Sequence, residues 1–306
     1  MTRTYANPAA FKAALESRLM THATEAGRPI NRVRQLLVME RFLARVIVDF
    51  EAAVLKGGLA MELRQPGKAR TTKDVDLRLM GRSDAILDRL QAAGRRELGD
   101  FLSYEVRIDS AHPVIEADGL PYEGQRFRAE AVLAGKIYGS AFGVDVALAE
   151  PLVGTPDRLV GSDALDFIGI IRPEFLAYPV ATHIAEKLHA YTLPRPRPNS
   201  RVKDLPDIAL LAQQGPLDAE ELRTAIAATF ANRATHPVPT VVPDPPAVWA
   251  NVYARMARDE GLAWANVDVL LAAVRGFLGP VLVGGARIWD PALWGWVTGF
   301  ELRSEL

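Results

Sequence analysis

The chain has 306 residues, of which 49% are hydrophobic and 24% are charged, and its formal net charge is −1. This composition is typical of a globular protein with one large domain or two modest ones. The sequence contains no cysteine, which excludes disulfide frameworks, cysteine metal clusters and thiol nucleophiles. No apolar run reaches the roughly 18 residues of a membrane helix, and no signal-peptide core is evident, so we expect a cytoplasmic protein. The charge balance neither indicates nor excludes a nucleic-acid partner.

Two helices are predicted at the start of the chain. The first covers about residues 8–26 and ends near Gly27 and Pro29, which are helix stop signals. The second covers residues 31–51, where apolar residues recur at helical spacing. Its stripe consists of Leu36, Met39, Leu43, Val46, Ile47 and Phe50. We expect the two helices to pack together as a cover over the rest of this region.

Short strands and helices are predicted to follow. "LAMELRQ" and "DAILDRLQAAGRREL" indicate helices, and "TKDVDLRLM" alternates apolar and charged residues with the period of a strand. Further strands are predicted at "SYEVRID", "QRFRAEAVLAG" and "FGVDVALAE", with a turn at "DGLPYEG". The first half therefore predicts an α+β domain with a small mixed sheet.

From about Pro173 the pattern becomes mostly helical. Helices are predicted around "PVATHIAEKLHAYTL", "DLPDIALLAQQG", "DAEELRTAIAATFANR", "PPAVWANVYARMARDEG" and "NVDVLLAAVRGFLGPVL". We therefore divide the chain into residues 1–172 and a helical C-terminal lobe, residues 173–306. The lobe is expected to contribute to the active-site cleft.

Two carboxylates lie close together on the strand "TKDVDLRLM". Alternation places Thr72, Asp74 and Asp76 on one face, with Val75 and Leu77 on the other. Neighbouring like charges repel, so such a pair indicates a bound cation, commonly Mg²⁺, which prefers oxygen ligands. The alternative is a solvated strand face.

The double glycine upstream suggests a phosphate site. "KGG" leads directly into a helical pattern, and free backbone N–H groups at a helix N-terminus attract phosphate. A plain turn is the alternative. A phosphate site beside metal-binding carboxylates fits nucleotidyl or phosphoryl transfer. In "FGVDVALAE", Asp145 could supply a third carboxylate, or it could face solvent on an edge strand.

The ordered motifs resemble a known family. Lys56-Gly57-Gly58 is followed by Arg70-x-Thr72-x-Asp74-x-Asp76, and downstream come "HIAEKLHAY" and "RPNSRVKDLPDI". This combination, which spans about residues 8–215, is similar to the nucleotidyltransferase toxins of the AbiEii/AbiGii group, which includes the MenT toxins.

The resemblance implies a polymerase-β-like nucleotidyltransferase core that uses Mg²⁺, with two metal ions as one option, and a nucleoside triphosphate (NTP). It implies a toxin of a toxin–antitoxin pair, with a cognate antitoxin protein, that adds a nucleotide to the 3′ end of tRNA. Carried over to this sequence, the catalytic residues are Asp74, Asp76, Lys187 and Asp204; the nucleotide-binding residues are Lys56, Gly57, Gly58, Arg70, Thr72 and Asp207; and the metal ligands are Asp74, Asp76 and Asp145. Related enzymes often have Ser after the second glycine, whereas this chain has Leu59, which leaves Thr72 as the expected hydroxyl near the phosphates.

The downstream motif can also be interpreted from its residues. His183 and Lys187 share a helical face, so Lys187 could neutralise a triphosphate or could pair with a surface acid. Asp204 and Asp207 could cap their helix or hold Lys187 and Arg201 in place. The loop basic residues Arg195, Arg197, Arg201 and Lys203 could bind RNA phosphates or remain solvated. The residues Trp289, Trp294 and Trp296 are interpreted mainly as core packing or an antitoxin-binding surface, with base stacking as a further alternative.

The leading hypothesis is transfer of a nucleotide to the 3′-hydroxyl of an RNA. Two alternatives stay open: an enzyme of the same fold that modifies a small molecule or a protein hydroxyl, and a non-catalytic binding protein on this scaffold. The sequence does not identify the NTP, the acceptor or the oligomeric state.

Overall fold

The computed structural model describes residues 5–80, 85–114, 124–148, 151–195, 199, 201–285 and 287–297. The chain forms two compact units. The first contains Met1–Gly67, Thr71–Glu150 and Pro156–Tyr178, and the second contains Lys68–Arg70, Pro151–Thr155 and Pro179–Leu306. The predicted turn at "DGLPYEG" lies outside the described residues, apart from Gly124.

The first unit is built on an eight-stranded mixed sheet. Its strands are β1 (Val54–Lys56), β2 (Asp74–Leu79), β3 (Leu102–Ile108), β4 (Gly124–Leu133), β5 (Lys136–Ile137), β6 (Phe142–Leu148), β7 (Asp157–Val160) and β8 (Glu174–Ala177). The spatial order is β3-β4-β6-β2-β1-β8-β7, with β5 paired to β4. Strand β2 is parallel to β6 and β1 is parallel to β8, while the other pairs are antiparallel. The predicted α+β class with a mixed sheet is confirmed.

In the described part of this unit, four α-helices accompany the sheet: α1 (Pro8–Glu25), α2 (Ile30–Asp49), α3 (Gly57–Arg64) and α4 (Ile86–Gly94). The middle of α2 is more buried than a cover helix would be, because all of residues 37–46 are buried and not only the apolar stripe. Two arginines in this stretch, Arg41 and Arg45, form ion pairs with the fully buried Asp100. Buried charges persist in a core when they are paired in this way.

The second unit is mostly helical, as predicted. It contains α5 (Val180–Thr192), α6 (Asp204–Ala212), α7 (Ala219–Arg233), α8 (Trp249–Glu260) and α9 (Val267–Leu282). A three-stranded sheet, which the sequence analysis did not predict, has the order β11 (Gly295–Val297), β10 (Ile288–Asp290), β9 (Leu217–Asp218). None of the helices in the described part of the chain is long and apolar enough to cross a membrane.

The tryptophans near the C-terminus pack within the second unit. Trp289 is completely buried, and its indole N–H donates to the carbonyl of Ala212 at 2.7 Å. The indole N–H of Trp296 donates to the carbonyl of Phe277 at 2.8 Å. Since buried indoles need such acceptors, these contacts favour the packing interpretation.

Candidate active site

The backbone passes directly from β1 into α3 at Lys56 and Gly57. Gly57 has a φ of +68°, a left-handed value that glycine adopts readily and that strains other residues. A Cβ atom at this position would overlap the carboxylate of Asp76. A glycine is therefore required here both by the backbone conformation and by the close approach of an acidic side chain.

The two predicted carboxylates lie on one face of β2. The side chains of Val75 and Leu77 are buried on the opposite face, whereas Asp74 is exposed and Asp76 is half-buried. Asp74 lies opposite Gly143 of β6, and a Cβ atom on Gly143 would overlap the Asp74 carboxylate. Each carboxylate thus lies against glycine backbone where no other side chain fits.

Thr72 lies beside the second glycine of the pair. A Cβ atom on Gly58 would be 2.7 Å from the hydroxyl oxygen of Thr72, which is buried. That hydroxyl donates to the carbonyl of Asp74 at 3.2 Å. The structure therefore places the predicted hydroxyl next to the glycine pair and fixes its orientation through the backbone of the acidic strand.

Lys56 lies on the same face as the acidic pair. It is opposite Asp76 in the antiparallel register of β1 and β2, and paired residues project to the same side of a sheet. Its Nζ atom lies 5.4 Å from the ring centroid of Tyr178, a distance suited to a cation–π interaction. The lysine is thus held at the end of β1, next to the start of α3.

The third predicted carboxylate, Asp145, is engaged by an arginine that the sequence analysis did not identify. Arg126 of β4 donates from Nε and from Nη2 to the two oxygens of Asp145, both at 2.7 Å. These hydrogen bonds raise the pKa of Arg126. The alternation in "QRFRAE" places Arg126 and Arg128 on one face of their strand, but the partner Asp145 follows only from the register of β4 with β6.

The residues on this face fit a divalent cation. Carboxylate oxygens are the ligands that Mg²⁺ prefers, and the carboxylates of Asp76 and Asp74 lie against Gly57 and Gly143 without an intervening side chain. Within the described ranges, no three acidic, histidine or cysteine side chains come together as a metal cluster. Because Arg126 occupies both oxygens of Asp145, a cation on this face would be held chiefly by the pair on β2.

A second group of predicted residues forms an ion-pair network within the second unit. The Nζ atom of Lys187 on α5 lies 2.7 Å from Oδ2 of Asp207 and 3.4 Å from Oδ1 of Asp204. Arg70 donates to the two oxygens of Asp207 at 2.7 and 3.0 Å. Asp207 thus holds Lys187 in place, as the second interpretation of these acids anticipates, and its other partner is Arg70, which that interpretation did not name.

Burial and neighbouring opposite charges shift the pKa values of these groups in opposite directions. Burial raises the pKa of Asp207, but Lys187 and Arg70 more than offset it, which lowers that pKa to about 2. Burial lowers the pKa of Lys187, and the two aspartates outweigh it, so the net shift is upward. For Asp204 burial dominates and the pKa is raised. Lys187 and Asp207 are accordingly charged at neutral pH.

The basic loop after α5 is described only in part. Arg195 donates to the carbonyl of Ala190 at 3.4 Å, whereas Arg201 and Lys203 are exposed. Arg197 lies outside the described residues.

The predicted site residues fall into two groups. Within the first unit the structure brings together Lys56, Gly57, Gly58, Thr72, Asp74, Asp76 and Asp145, and within the second unit it brings together Arg70, Lys187, Asp204 and Asp207.

Comparison with known proteins gives a family match and fold relatives. Residues 41–272 match the family model described as nucleotidyl transferase AbiEii toxin, type IV toxin–antitoxin system. MenT4, a nucleotidyltransferase toxin from Mycobacterium tuberculosis, is a structural neighbour with 14% identity and a TM-score of 0.51, covering 93% of this chain and 95% of that one. JHP933 from Helicobacter pylori has 13% identity and a TM-score of 0.42, covering 81% and 90%. A search of curated proteins found no match. The likeness to MenT4 shows a nucleotidyltransferase fold.

Proposed function

We propose, because the chain belongs to the AbiEii family of toxin–antitoxin nucleotidyltransferases, that it uses Mg²⁺ to transfer a nucleotide from an NTP to the 3′ end of tRNA. Its further partner would be a cognate antitoxin protein. In this reaction the 3′-oxygen bonds to the α-phosphorus, the bond to the outgoing pyrophosphate breaks, and the hydroxyl proton is released.

One observation carries this proposal: the acidic pair of β2 lies against the backbone of two glycines, with Asp76 against Gly57 and Asp74 against Gly143. Gly57 begins α3, and the N–H groups at a helix start are donors for phosphate oxygens. Asp74 and Asp76 would hold the cation beside them. When bound, Mg²⁺ would neutralise phosphate charge and polarise the phosphoryl group.

The remaining residues of this face would bind and orient the triphosphate. Lys56 supplies a positive charge in register with Asp76. Thr72 keeps the acidic strand aligned with Gly58 through its hydroxyl and its packing.

In the second unit, Asp207 and Asp204 keep Lys187 positively charged, and a charged lysine can neutralise phosphate oxygens.

The proposal that tRNA is the acceptor rests on the family resemblance and on two exposed basic residues. Arg201 and Lys203 are exposed beside the start of α6, and such side chains can contact RNA phosphates. Binding through phosphates loses affinity steeply as the salt concentration rises. A salt-sensitive affinity for tRNA is therefore expected to accompany the activity.

The test incubates the purified chain with Mg²⁺, total tRNA and each α-labelled NTP in turn. The inactive variant is Asp74→Ala/Asp76→Ala. A matched control is Glu105→Ala/Glu130→Ala, which also removes two neighbouring carboxylates from the same sheet, in this case from a pair across β3 and β4. We expect label on tRNA with the unaltered chain and with the control, and none with the Asp74/Asp76 variant.

Blocking the acceptor separates terminal addition from other reactions. Periodate oxidation destroys the 3′-terminal diol of tRNA, and the oxidised tRNA should take up no label. Label on a protein or small molecule, with none on RNA, would overturn the tRNA assignment while keeping nucleotidyl transfer. Unchanged labelling by the Asp74/Asp76 variant would overturn the assignment of the acidic pair.

A further inference from the structure

Four charged residues form a row across four neighbouring strands of the first unit. Lys56 lies opposite Asp76, Asp76 lies opposite Asp145, and Asp145 lies opposite Arg126. Residues paired in register project to the same face of a sheet. The row therefore alternates as one cation, two anions and one cation, with Asp74 two residues before Asp76 on the same face.

The two carboxylates of the row have different surroundings. Arg126 binds both oxygens of Asp145 with a bidentate geometry, the strongest arrangement available to a guanidinium and a carboxylate. The Asp145 side chain is only 17% exposed, so little of it is open to another ligand. Asp76, in contrast, faces the glycine backbone of the proposed phosphate site.

We infer that this site takes one divalent cation, held by Asp74 and Asp76, and that Arg126 occupies the position at Asp145 where a second cation would bind. The inference rests on the proposed function, whose reaction needs a cation at the acidic pair. The absence of a three-ligand metal cluster from the described residues agrees with it. Arg126 is accordingly a positioning residue that acts through Asp145.

The charges on this face support a single cation. Within the row and Asp74, the three carboxylates and the two cationic side chains of Lys56 and Arg126 sum to a charge of −1 before any metal binds. One divalent cation makes this set of five residues positive, which suits a triphosphate. A second cation would have to displace a permanently charged guanidinium from two short hydrogen bonds.

The test counts bound cations directly, independently of catalysis. The full chain is titrated with Mn²⁺ in the presence of a triphosphate analogue that cannot be cleaved between its α- and β-phosphates, and free Mn²⁺ is followed by electron paramagnetic resonance. The control experiment without protein gives the cations bound by the analogue alone. We expect one protein-dependent cation for the unaltered chain.

Three variants separate the roles of these residues. Arg126→Gln frees the Asp145 carboxylate, and we expect the count to rise from one cation to two. Asp145→Asn should leave one cation, and Asp74→Asn/Asp76→Asn should leave none. Arg128→Gln is the matched control on the same strand, since it removes a positive charge without freeing Asp145, and the count should stay at one.

Each remaining outcome overturns a defined statement. Two cations on the unaltered chain, a loss of the cation in Asp145→Asn, or a count of one in a folded Arg126→Gln variant would each overturn the inference. If the unaltered chain binds the analogue without any cation, the proposed Mg²⁺-dependent function fails instead. Thermal unfolding of every variant establishes that the counts come from folded protein.

Discussion

Gly57 and Asp76 lie so close together that the space beside the Asp76 carboxylate has no room for even a methyl group on residue 57. The contact joins the first residue of α3 to the centre of the acidic strand β2. This contact explains why a glycine, and not merely a small residue, begins the helix. The proposed phosphate site and the proposed cation site therefore depend on the same residue.

Replacing Gly57 with alanine should reduce nucleotidyl transfer at least about 100-fold, because the added Cβ displaces the Asp76 carboxylate and misplacement of about 1 Å is enough for such a loss. Gly135→Ala is the matched control. Gly135 has a similar φ of +70° but open space around it, so it should lose only about 1 kcal/mol of stability and keep its activity. Initial rates of label transfer and urea unfolding measure both effects. Equal rates for the two variants would contradict the argument.

Asp207 and Asp204 should differ in their contributions to stability. Asp207→Asn leaves Lys187 and Arg70 without their shared buried counter-ion, for which we expect a loss of about 3–5 kcal/mol in the free energy of unfolding. Asp204→Asn should cost less, about 1–2 kcal/mol, because burial already disfavours the charged form of that carboxyl. Urea denaturation of the two variants provides the comparison. A larger loss of unfolding free energy for Asp204→Asn than for Asp207→Asn would show that Asp204, and not Asp207, is the central acid of the network.

Much of this architecture can be predicted from periodicity. The burial of Val75, Leu77 and Leu79 follows the alternation of the sequence, and the helix at residues 8–25 follows its stop signals. The strand Glu174–Ala177 was missed because four residues are too few to show alternation, and its pairing with β1 joins segments more than 100 residues apart. Register of this kind depends on tertiary packing.

The site was predictable to the extent that its residues are neighbours along the chain. Gly57 and Gly58 adjoin, and Asp74 and Asp76 are two apart, so their shared position follows from local geometry. Arg126 was missed because nothing local links it to Asp145, 19 residues away; only the antiparallel register of β4 and β6 brings the two together. Long-range charge pairing of this type leaves no periodic signal in the sequence.

The buried ion pairs of α2 should be essential for stability. Asp100→Asn removes the counter-ion of Arg41 and Arg45, and a loss of about 3–5 kcal/mol in the free energy of unfolding is expected. The matched control is Glu174→Gln, which removes an acid paired with Arg158 at the surface, and its effect should be within about 0.5 kcal/mol. Guanidinium unfolding curves measure both. A mild effect of Asp100→Asn would mean that water reaches the two arginines.

A chain of hydrogen bonds in the second unit fixes the buried His189 and the half-buried His236 in the neutral form. Arg233 can only donate, so Nδ1 of His189 accepts from it at 3.4 Å, and His189 Nε2 must then carry the proton that it donates to Thr235 at 2.8 Å. The Thr235 hydroxyl in turn donates to Nδ1 of His236 at 2.9 Å. The Nε2–H group of His236 donates a hydrogen bond to the hydroxyl of Thr192 at 2.8 Å. An additional proton on either ring would break this order.

Stability should therefore fall below about pH 6.5. Burial, with Arg233 nearby, lowers the pKa of His189 to about 3, and burial also lowers that of His236. Because the folded-state pKa values lie below the unfolded value of about 6.5, the unfolded chain binds protons first as the pH falls. The stabilisation from the neutral histidines is fully present above pH 6.5 and is lost as the pH falls toward 3. The titration of His189 alone should lower the free energy of unfolding by about 1–2 kcal/mol between pH 8 and pH 5. Unfolding free energies measured across this range, compared with those of a His189→Gln/His236→Asn variant, test this: the variant should show a flatter pH dependence, and an equal slope in both proteins would refute the role of the histidines.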